Sequence, residues 1–201
     1  MPKTSTTSPD ATSSTGPART SARERLLAAA DELFYAEGVH TVGIDRVIEH
    51  AGVAKASLYN AFGSKDELVR AYLDRRRDAR QRRITDELAR HRSPRARLLA
   101  VFDVLGRVGS APGYRGCAFY NASAEASPDT AAVKVNAEQR AWTRSLFTDL
   151  AREAGVRRPD ALAGQLVLLY DGATASMFLD HDPAAAAAAK AAAAVLLDAA
   201  T

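Results

Sequence analysis

Three helical segments, each closed by a glycine, restrict the fold of the N-terminal third more than any other feature. Apolar residues recur at spacings of three and four positions in segments that end at Gly38, Gly52 and Gly63. Glycine suits these ends because a helix commonly terminates in a left-handed residue. The third segment, residues 54–61, is too short to be stable alone, so it must be held by packing against the two helices before it.

The second and third segments form a predicted helix-turn-helix. Residues 43–51 and 54–61 are separated by a tight turn that contains glycine, and this motif leaves the outer face of its second helix exposed. Leu58 and Phe62 stand four positions apart, so they share the inner side of that helix. The side chains that then face outward are Lys55, Ala56, Ser57, Tyr59 and Asn60.

The remainder of the chain also has helical spacing, with start signals of serine followed by glutamate or proline. Nothing in it reads as a strand, so the predicted fold class is all-α. The predicted helices, about nine in number, span residues 21–37, 43–51, 54–61, 64–91, 94–108, 117–126, 128–154, 159–180 and 183–199.

Composition excludes several classes of protein. A chain of 201 residues with 47% hydrophobic content can bury a core, whereas residues 1–18 are rich in Ser, Thr and Pro and are predicted to be a disordered arm. The N-terminus lacks the apolar core of a secretory signal, and no apolar run is expected to cross a membrane, so a cytoplasmic location is predicted. One cysteine and four scattered histidines predict no disulfide, no metal site and no cofactor.

Charge alone does not identify a nucleic-acid binder. The net charge is only +3, and acidic residues match the basic ones within the helix-turn-helix region. The strongest basic bias lies in residues 70–97, which contain eleven arginines, including those of "RRRDARQRR". On a helix these arginines point in several directions, so they form either a solvated surface or a phosphate-binding patch.

The stretch "GIDRVIEHAGVAKASLYNAFGSKDELVRAYL", residues 43–73, resembles the DNA-binding end of the TetR family of bacterial transcription regulators. The resemblance implies a three-helix DNA-binding domain at 19–65 and a larger helical domain at 66–201 that dimerises and encloses a small-molecule pocket. It further implies a homodimeric repressor that a small-molecule effector releases from a palindromic operator in double-stranded DNA.

The resemblance also assigns roles on the third helix. Lys55, Ala56 and Asn60 fall where the family commonly contacts bases, and Ser57, Tyr59 and Lys65 fall where it commonly contacts phosphates. Lys65 has independent support, because it lies in the first turn of a helix, whose amides also favour an anion. Two positions depart from the family: Ala61 replaces a frequent histidine, and Asp45 replaces a frequent arginine, where its carboxylate would repel a phosphate.

The predicted ligand pocket combines aromatic and polar residues of the sixth to eighth helices. Aromatic residues at helical spacing also suit a protein core, and both interpretations remain open. One face of the eighth helix, which includes Leu162, Leu166 and Tyr170, likewise suits either a dimer interface or an intramolecular core. The candidate pocket residues are Phe119, Tyr120, Asn121, Glu125, Trp142, Tyr170, Met177 and Phe178.

Two other functions are weighed against regulation. An enzyme would have to use Cys117 or the His181-Asp182 pair, but no nucleophile and base can be paired from the sequence, so no enzymatic activity is predicted. An architectural DNA binder would use the arginines of the fourth helix without sequence preference. Cys117 is either a redox-active thiol at a helix N-terminus or a buried inert one.

Overall fold

The computed structural model describes residues 20–124 and 126–201, and within them every regular element is an α-helix. The predicted arm at 1–18 and Glu125 lie outside the described residues. The all-α prediction is confirmed. The helices are α1 (Ala22–Glu37), α2 (Ile44–Ala51), α3 (Lys55–Phe62), α4 (Lys65–Leu88), α5 (Pro94–Gly109), α6 (Ala118–Ser123), α7 (Ala131–Glu153), α8 (Pro159–Leu179) and α9 (Ala185–Ala200).

Three predicted start signals are present as caps. The hydroxyls of Ser21, Ser64 and Ser93 each accept a hydrogen bond from the backbone amide three residues later, at 3.1, 3.1 and 3.2 Å. Each bond satisfies one of the amides that a helix N-terminus leaves unpaired, which fixes where α1, α4 and α5 begin.

The predicted start of α7 at residue 128 is wrong by three residues. Ser127 to Thr130 form a separate turn, in which the Thr130 amide and hydroxyl donate to the Ser127 carbonyl at 3.1 and 2.8 Å. The amide of Ala131 then donates to the carboxylate of Asp66 on α4, with both oxygens at 3.1 Å. A distant carboxylate therefore caps α7, and local sequence could not reveal it.

Two hydrophobic clusters hold the helices together. The first joins α1 to α4 with α6 and the start of α7, and Leu26, Leu58 and Leu68 are fully buried in it. The second joins the end of α4 with α5, α7, α8 and α9 around Phe102, Phe147 and Tyr170. Helices α4 and α7 contribute to both clusters, so these two elements connect the two halves of the described chain.

The helix-turn-helix has the predicted geometry. Gly52 adopts φ 61° and ψ 44°, the left-handed conformation that glycine accepts without steric cost, and its amide bonds back to the end of α2. Val47, Ile48 and Leu58 are buried against α1. Leu58 is the one buried side chain of α3 and Phe62 packs against the same cluster, so the side of α3 that faces away from them is available for contacts outside the fold.

Helix α8 differs from the sequence-based expectation in two ways. By length and composition alone the helix could cross a membrane, whereas the sequence analysis predicted no segment with that length and composition. Its face at Leu162, Leu166 and Tyr170 is buried within the chain, so the intramolecular interpretation of that face is correct. The opposite side of the helix is exposed and small or apolar apart from one glutamine, at Ala161, Gln165, Leu168, Gly172, Ala175 and Leu179.

Candidate nucleic-acid interface and ligand cavity

The outer face of α3 is a contiguous exposed surface. Lys55, Ala56, Tyr59 and Asn60 are exposed, and Ser57 is partly buried. Tyr59 keeps 45% of its surface accessible, so its ring does not close the core of the three-helix unit. No side chain caps the N-terminus of α3, whose first amides therefore remain available to an acceptor outside the helix. The structure thus presents the residues expected to contact bases on one surface.

Lys55 is not a free cation in this conformation. Its Nζ donates to the Oδ1 of Asp45 on α2 at 2.9 Å, and this hydrogen bond raises the pKa of Lys55. Both side chains remain more than half exposed, so the pair is readily exchanged for other partners. Asp45, which departs from the family pattern, therefore pairs with a residue that is predicted to contact bases.

Lys65 occupies the first turn of α4, directly after the cap at Ser64. It is half-buried, and this burial lowers the pKa of its ammonium group. A nearby phosphate would offset that desolvation, because an opposite charge favours the charged form. The position therefore combines a side-chain cation with the positive end of a helix dipole.

Three arginines of α4 pair with carboxylates of neighbouring helices, whereas Arg82 and Arg83 are exposed. Arg76 lies 3.8 Å above the ring of Tyr35 and holds Asp31 of α1 with two hydrogen bonds of 2.7 and 2.9 Å. Arg75 pairs with Glu24 of α1 at 2.6 Å. Arg77 joins α4 to α7 through Glu138 at 2.7 Å. These side chains tie α4 to neighbouring helices, so they are structural ion pairs.

A cavity of about 510 Å³ lies among α4, α6, α7 and α8. Of the predicted pocket residues, Tyr120, Asn121, Tyr170 and Phe178 line it. Phe119 is buried in the first hydrophobic cluster and faces a smaller cavity of about 100 Å³, which shares Arg80, Cys117 and Tyr170 with the larger one.

Two predicted pocket residues are elsewhere, and one cannot be placed. Trp142 packs against the outside of the second hydrophobic cluster, and Met177 is buried within it near α5. Both residues follow the core interpretation, since apolar side chains on an inner helical face bury against neighbouring helices first. Glu125 lies outside the described residues.

The polar residues of the larger cavity that sequence reasoning missed include Arg80 and Gln139. Arg80 belongs to the arginine-rich segment, which sequence analysis treated as surface. A signal was present, because Tyr72, Arg76, Arg80 and Ile84 recur every four residues and continue the buried side of α4. Gln139 is 2% exposed on α7, where nothing local distinguishes it from a surface glutamine.

The loop between α5 and α6 is fixed from both sides of the cavity. The hydroxyl of Tyr35 on α1 donates to the carbonyl of Gly116 at 3.1 Å and accepts from the Arg115 amide at 2.9 Å. The hydroxyl of Tyr114 donates to the carbonyl of Thr174 on α8 at 3.4 Å, and burial raises the pKa of Tyr114. One loop therefore contacts both α1 and the cavity wall.

Comparison with known proteins matches residues 26–72 to the model of bacterial regulatory proteins of the tetR family. A TetR-family transcriptional regulator from Streptomyces coelicolor is 34% identical, with a TM-score of 0.84 over 89% of this chain and 95% of that one. The regulatory protein TetR from Rhodobacter sphaeroides shares the fold, with 24% identity and a TM-score of 0.75 over 87% of this chain and 98% of that one.

A third relative is the HTH-type transcriptional activator FasR of Mycolicibacterium smegmatis. It is 37% identical over 141 residues, which amount to 67% of this chain and 61% of FasR. The chain thus matches less than two thirds of that relative's length. Taken with the regulator from Streptomyces coelicolor, which is matched over nearly its whole length, these similarities identify the family. The chain belongs to the TetR family of bacterial transcription regulators.

Proposed function

We propose that this protein is a homodimeric regulator that binds a palindromic operator through α3 and releases it when a small molecule occupies the cavity. The exposed outer face of α3, held in place by the buried Leu58, carries this proposal. Lys55 and Asn60 offer donors to base edges, while Ser57, Tyr59 and Lys65 serve phosphates, which set the position of the protein on the duplex. Ala56 allows close approach to the groove.

The exposed side of α8 supports dimerisation. Its members, which begin at Ala161 and end at Leu179, alternate spacings of four and three residues, as in a helix that packs along another helix. Leu168 and Leu179 are 72% and 70% exposed, and Val195 on α9 is 69% exposed. Large apolar side chains gathered in this way on two adjacent helices are typical of a protein interface. We therefore assign the α8 and α9 surface to a second copy of the chain.

The same surface borders the cavity. Leu168, Gly172, Ala175 and Leu179 belong both to the exposed side of α8 and to the cavity lining. A partner packed on α8 would lie beside the cavity, so occupancy of the cavity would alter how the two protomers pack. Helix α4 also lines the cavity and begins at Lys65, which links ligand binding to the separation of the two α3 helices. Half-sites about 34 Å apart would no longer be matched after such a change.

The direction of regulation depends on where the operator lies relative to the promoter. FasR is an activator, whereas we propose that this protein is a repressor. We also propose that it acts in the cytoplasm, where bacterial DNA is located. In vitro transcription from a promoter that contains the operator tests the choice between repressor and activator. Repression predicts fewer transcripts with the protein and recovery after effector addition. More transcripts with the protein would show activation.

Operator recognition is tested by selecting bound fragments from a random DNA library and measuring mobility shifts at fixed salt concentration. The wild-type protein should prefer the selected palindrome over a scrambled duplex. Replacing Lys55 and Asn60 with alanine should remove the preference, and Lys134→Ala, an exposed lysine on α7, should preserve it. Equal affinity of the wild-type protein for both duplexes would refute sequence-specific regulation.

Dimerisation is tested by sedimentation velocity with Leu168→Lys. Because Leu168 is exposed in the single chain, this substitution should leave the helical fold intact and shift the protein to a monomer. Ala36→Lys, on an exposed position of α1, is the control and should stay dimeric. A wild-type monomer, or a Leu168→Lys variant that remains dimeric, would refute this interface.

A further inference from the structure

Arg80 differs from the three arginines that lie shortly before it on α4. Arg75, Arg76 and Arg77 each have a carboxylate within 2.9 Å. Arg80 forms no ion pair with any residue in 20–124 or 126–201, and its Nε is buried without a hydrogen-bond partner there. The residue as a whole is partly buried, and withdrawing a guanidinium from water is costly unless its charge is compensated.

Aromatic rings are the main contacts of the Arg80 guanidinium. Its Cζ lies 5.1 Å from the ring centre of Tyr170 and 5.9 Å from that of Phe119. Burial lowers the pKa of Arg80, but neighbouring Tyr170 and Cys117 raise it by more, so the group stays charged. Ring contacts of this kind offset part of the cost of burial and hold the guanidinium in the cavity wall.

Gln139 supplies a second unpartnered atom in the same cavity. Its Nε2 donates to the Thr143 hydroxyl at 3.1 Å, and that hydroxyl donates its single proton to the backbone carbonyl oxygen of Gln139 at 3.0 Å. The hydroxyl can therefore only accept from the amide, which fixes the orientation of the amide group. The Gln139 Oε1 is left buried and without a donor among the described residues.

The other charged and amide side chains of the cavity already have partners. Arg140 pairs with Asp171 at 2.9 Å, so their charges balance. Asn121 donates to the carbonyl of Arg115 at 2.7 Å, and Asn136 donates to the hydroxyl of Ser123 at 2.9 Å. Two buried atoms of the cavity wall then remain without partners among the described residues: Arg80 Nε, which suits an anion, and Gln139 Oε1, which suits a hydrogen-bond donor.

We propose that the effector is a singly charged organic acid whose carboxylate binds Arg80 and whose hydroxyl or N–H group donates to Gln139 Oε1. This inference rests on the proposed function, in which the cavity binds the effector. The remaining lining is largely apolar and includes Val167, Leu168 and Phe178, which suits an aromatic or aliphatic body. The volume of about 510 Å³ lies within the range of small-molecule sites, roughly 300–1,000 Å³. One uncompensated cation favours one negative charge over two.

The test uses pairs of probes that differ in charge and little in shape. Thermal shift and calorimetry on the full chain compare benzoate with benzamide, phenylacetate with phenylacetamide, and 3-hydroxyphenylacetate with 3-methoxyphenylacetate; phenyl phosphate supplies a second negative charge. At least one acid should raise the melting temperature where its amide does not, and the hydroxy acid should bind more tightly than its methoxy analogue.

Variants then locate the binding. Arg80→Gln should weaken the best acid by about 10- to 100-fold, because it removes a charge-assisted hydrogen bond. Gln139→Leu should remove the advantage of the hydroxy acid. Arg82→Gln, which changes the same charge at an exposed position of α4, should bind like the wild type.

Four results would overturn the proposal: amides that bind as well as acids, acids unaffected by Arg80→Gln, tighter binding of phenyl phosphate, or no binding by any acid at millimolar concentration. The first three leave a ligand-responsive regulator standing. Acids that bind through Arg80 without releasing operator DNA would instead refute the proposed function and support the assignment of the cavity.

Discussion

Replacing Arg80 with methionine should make the ligand-free protein more stable. Methionine approximates the length of the arginine stem, fills irregular space and carries no charge. In the structure Arg80 has two aromatic neighbours and no carboxylate partner among the described residues. Its burial therefore reduces the stability of the native state, and removing the charge should recover that loss.

The magnitude follows from two opposing contributions. Desolvation of a buried ion costs several kcal/mol after relaxation of its surroundings. Contacts with two aromatic rings return about 0.5–1 kcal/mol each for a cation that keeps part of its surface exposed, as Arg80 does. The net gain for Arg80→Met is thus roughly 1–3 kcal/mol, and each kcal/mol raises the melting temperature of a chain of this length by about 2–4 °C.

The matched control lies one helical turn earlier. Arg76→Met should lower the unfolding free energy by about 1–3 kcal/mol, because it leaves the partly buried Asp31 without its partner and removes the stacking on Tyr35. Urea unfolding of both variants, checked by calorimetry, measures whether each substitution raises or lowers the unfolding free energy. If Arg80→Met also destabilises the protein, Arg80 is a structural brace and the argument for an uncompensated charge fails.

The other predictions concern the DNA surface, acid stability and the loop between α5 and α6. Asp45→Asn should free Lys55 and tighten operator binding. A plot of log binding constant against log salt concentration should become steeper by about 0.9 for each phosphate newly neutralised. Glu49→Gln on the same helix should change neither the affinity nor this slope. The hydrogen bond with His91 is the main cause that lowers the pKa of Glu87 in the folded protein below its ordinary value of 4.5. Ionised Glu87 therefore stabilises the fold fully above pH 4.5, and this stabilisation is lost as the pH falls through the lower pKa of the folded state. Glu87→Gln should accordingly flatten the acid side of a plot of urea midpoint against pH, and an unchanged slope would contradict this. Tyr35→Phe should cost about 1–2 kcal/mol and accelerate amide exchange in the loop, and unchanged exchange would show that the tyrosine hydroxyl does not hold it.

The local pattern of the chain was sufficient to predict the helix-turn-helix. Gly52 and Leu58 act within a few residues of their own position, so spacing and end signals determine their structure. The start of α7 was mispredicted because its capping group, Asp66, is 65 residues away. Sequence spacing carries no information about such a contact until the fold is known.

The cavity shows the same division between local and distant effects. Tyr170 and Phe178 were predicted to line the pocket because they are large apolar residues, and they do line the cavity. Trp142 and Met177 were predicted on the same ground, but they pack in or against the hydrophobic core instead. Arg80 was missed because its distinguishing property is a buried Nε that has no partner among the described residues. That property depends on four helices at once, and composition shows only that an arginine is present.

The ion pairs of α4 determine how a ligand at Arg80 could affect DNA binding. Arg80 lies fifteen residues after Lys65, a distance of about 22 Å along a continuous helix. Arg75 and Arg76 hold this helix to Glu24 and Asp31 of α1 between the two positions. Because the pairs join α4 to α1, movement of α4 would carry α1 and the helices packed on it as one body. The effect of a bound acid would then be a rotation of the whole DNA-binding unit, with the reading face of α3 preserved in shape and changed in position.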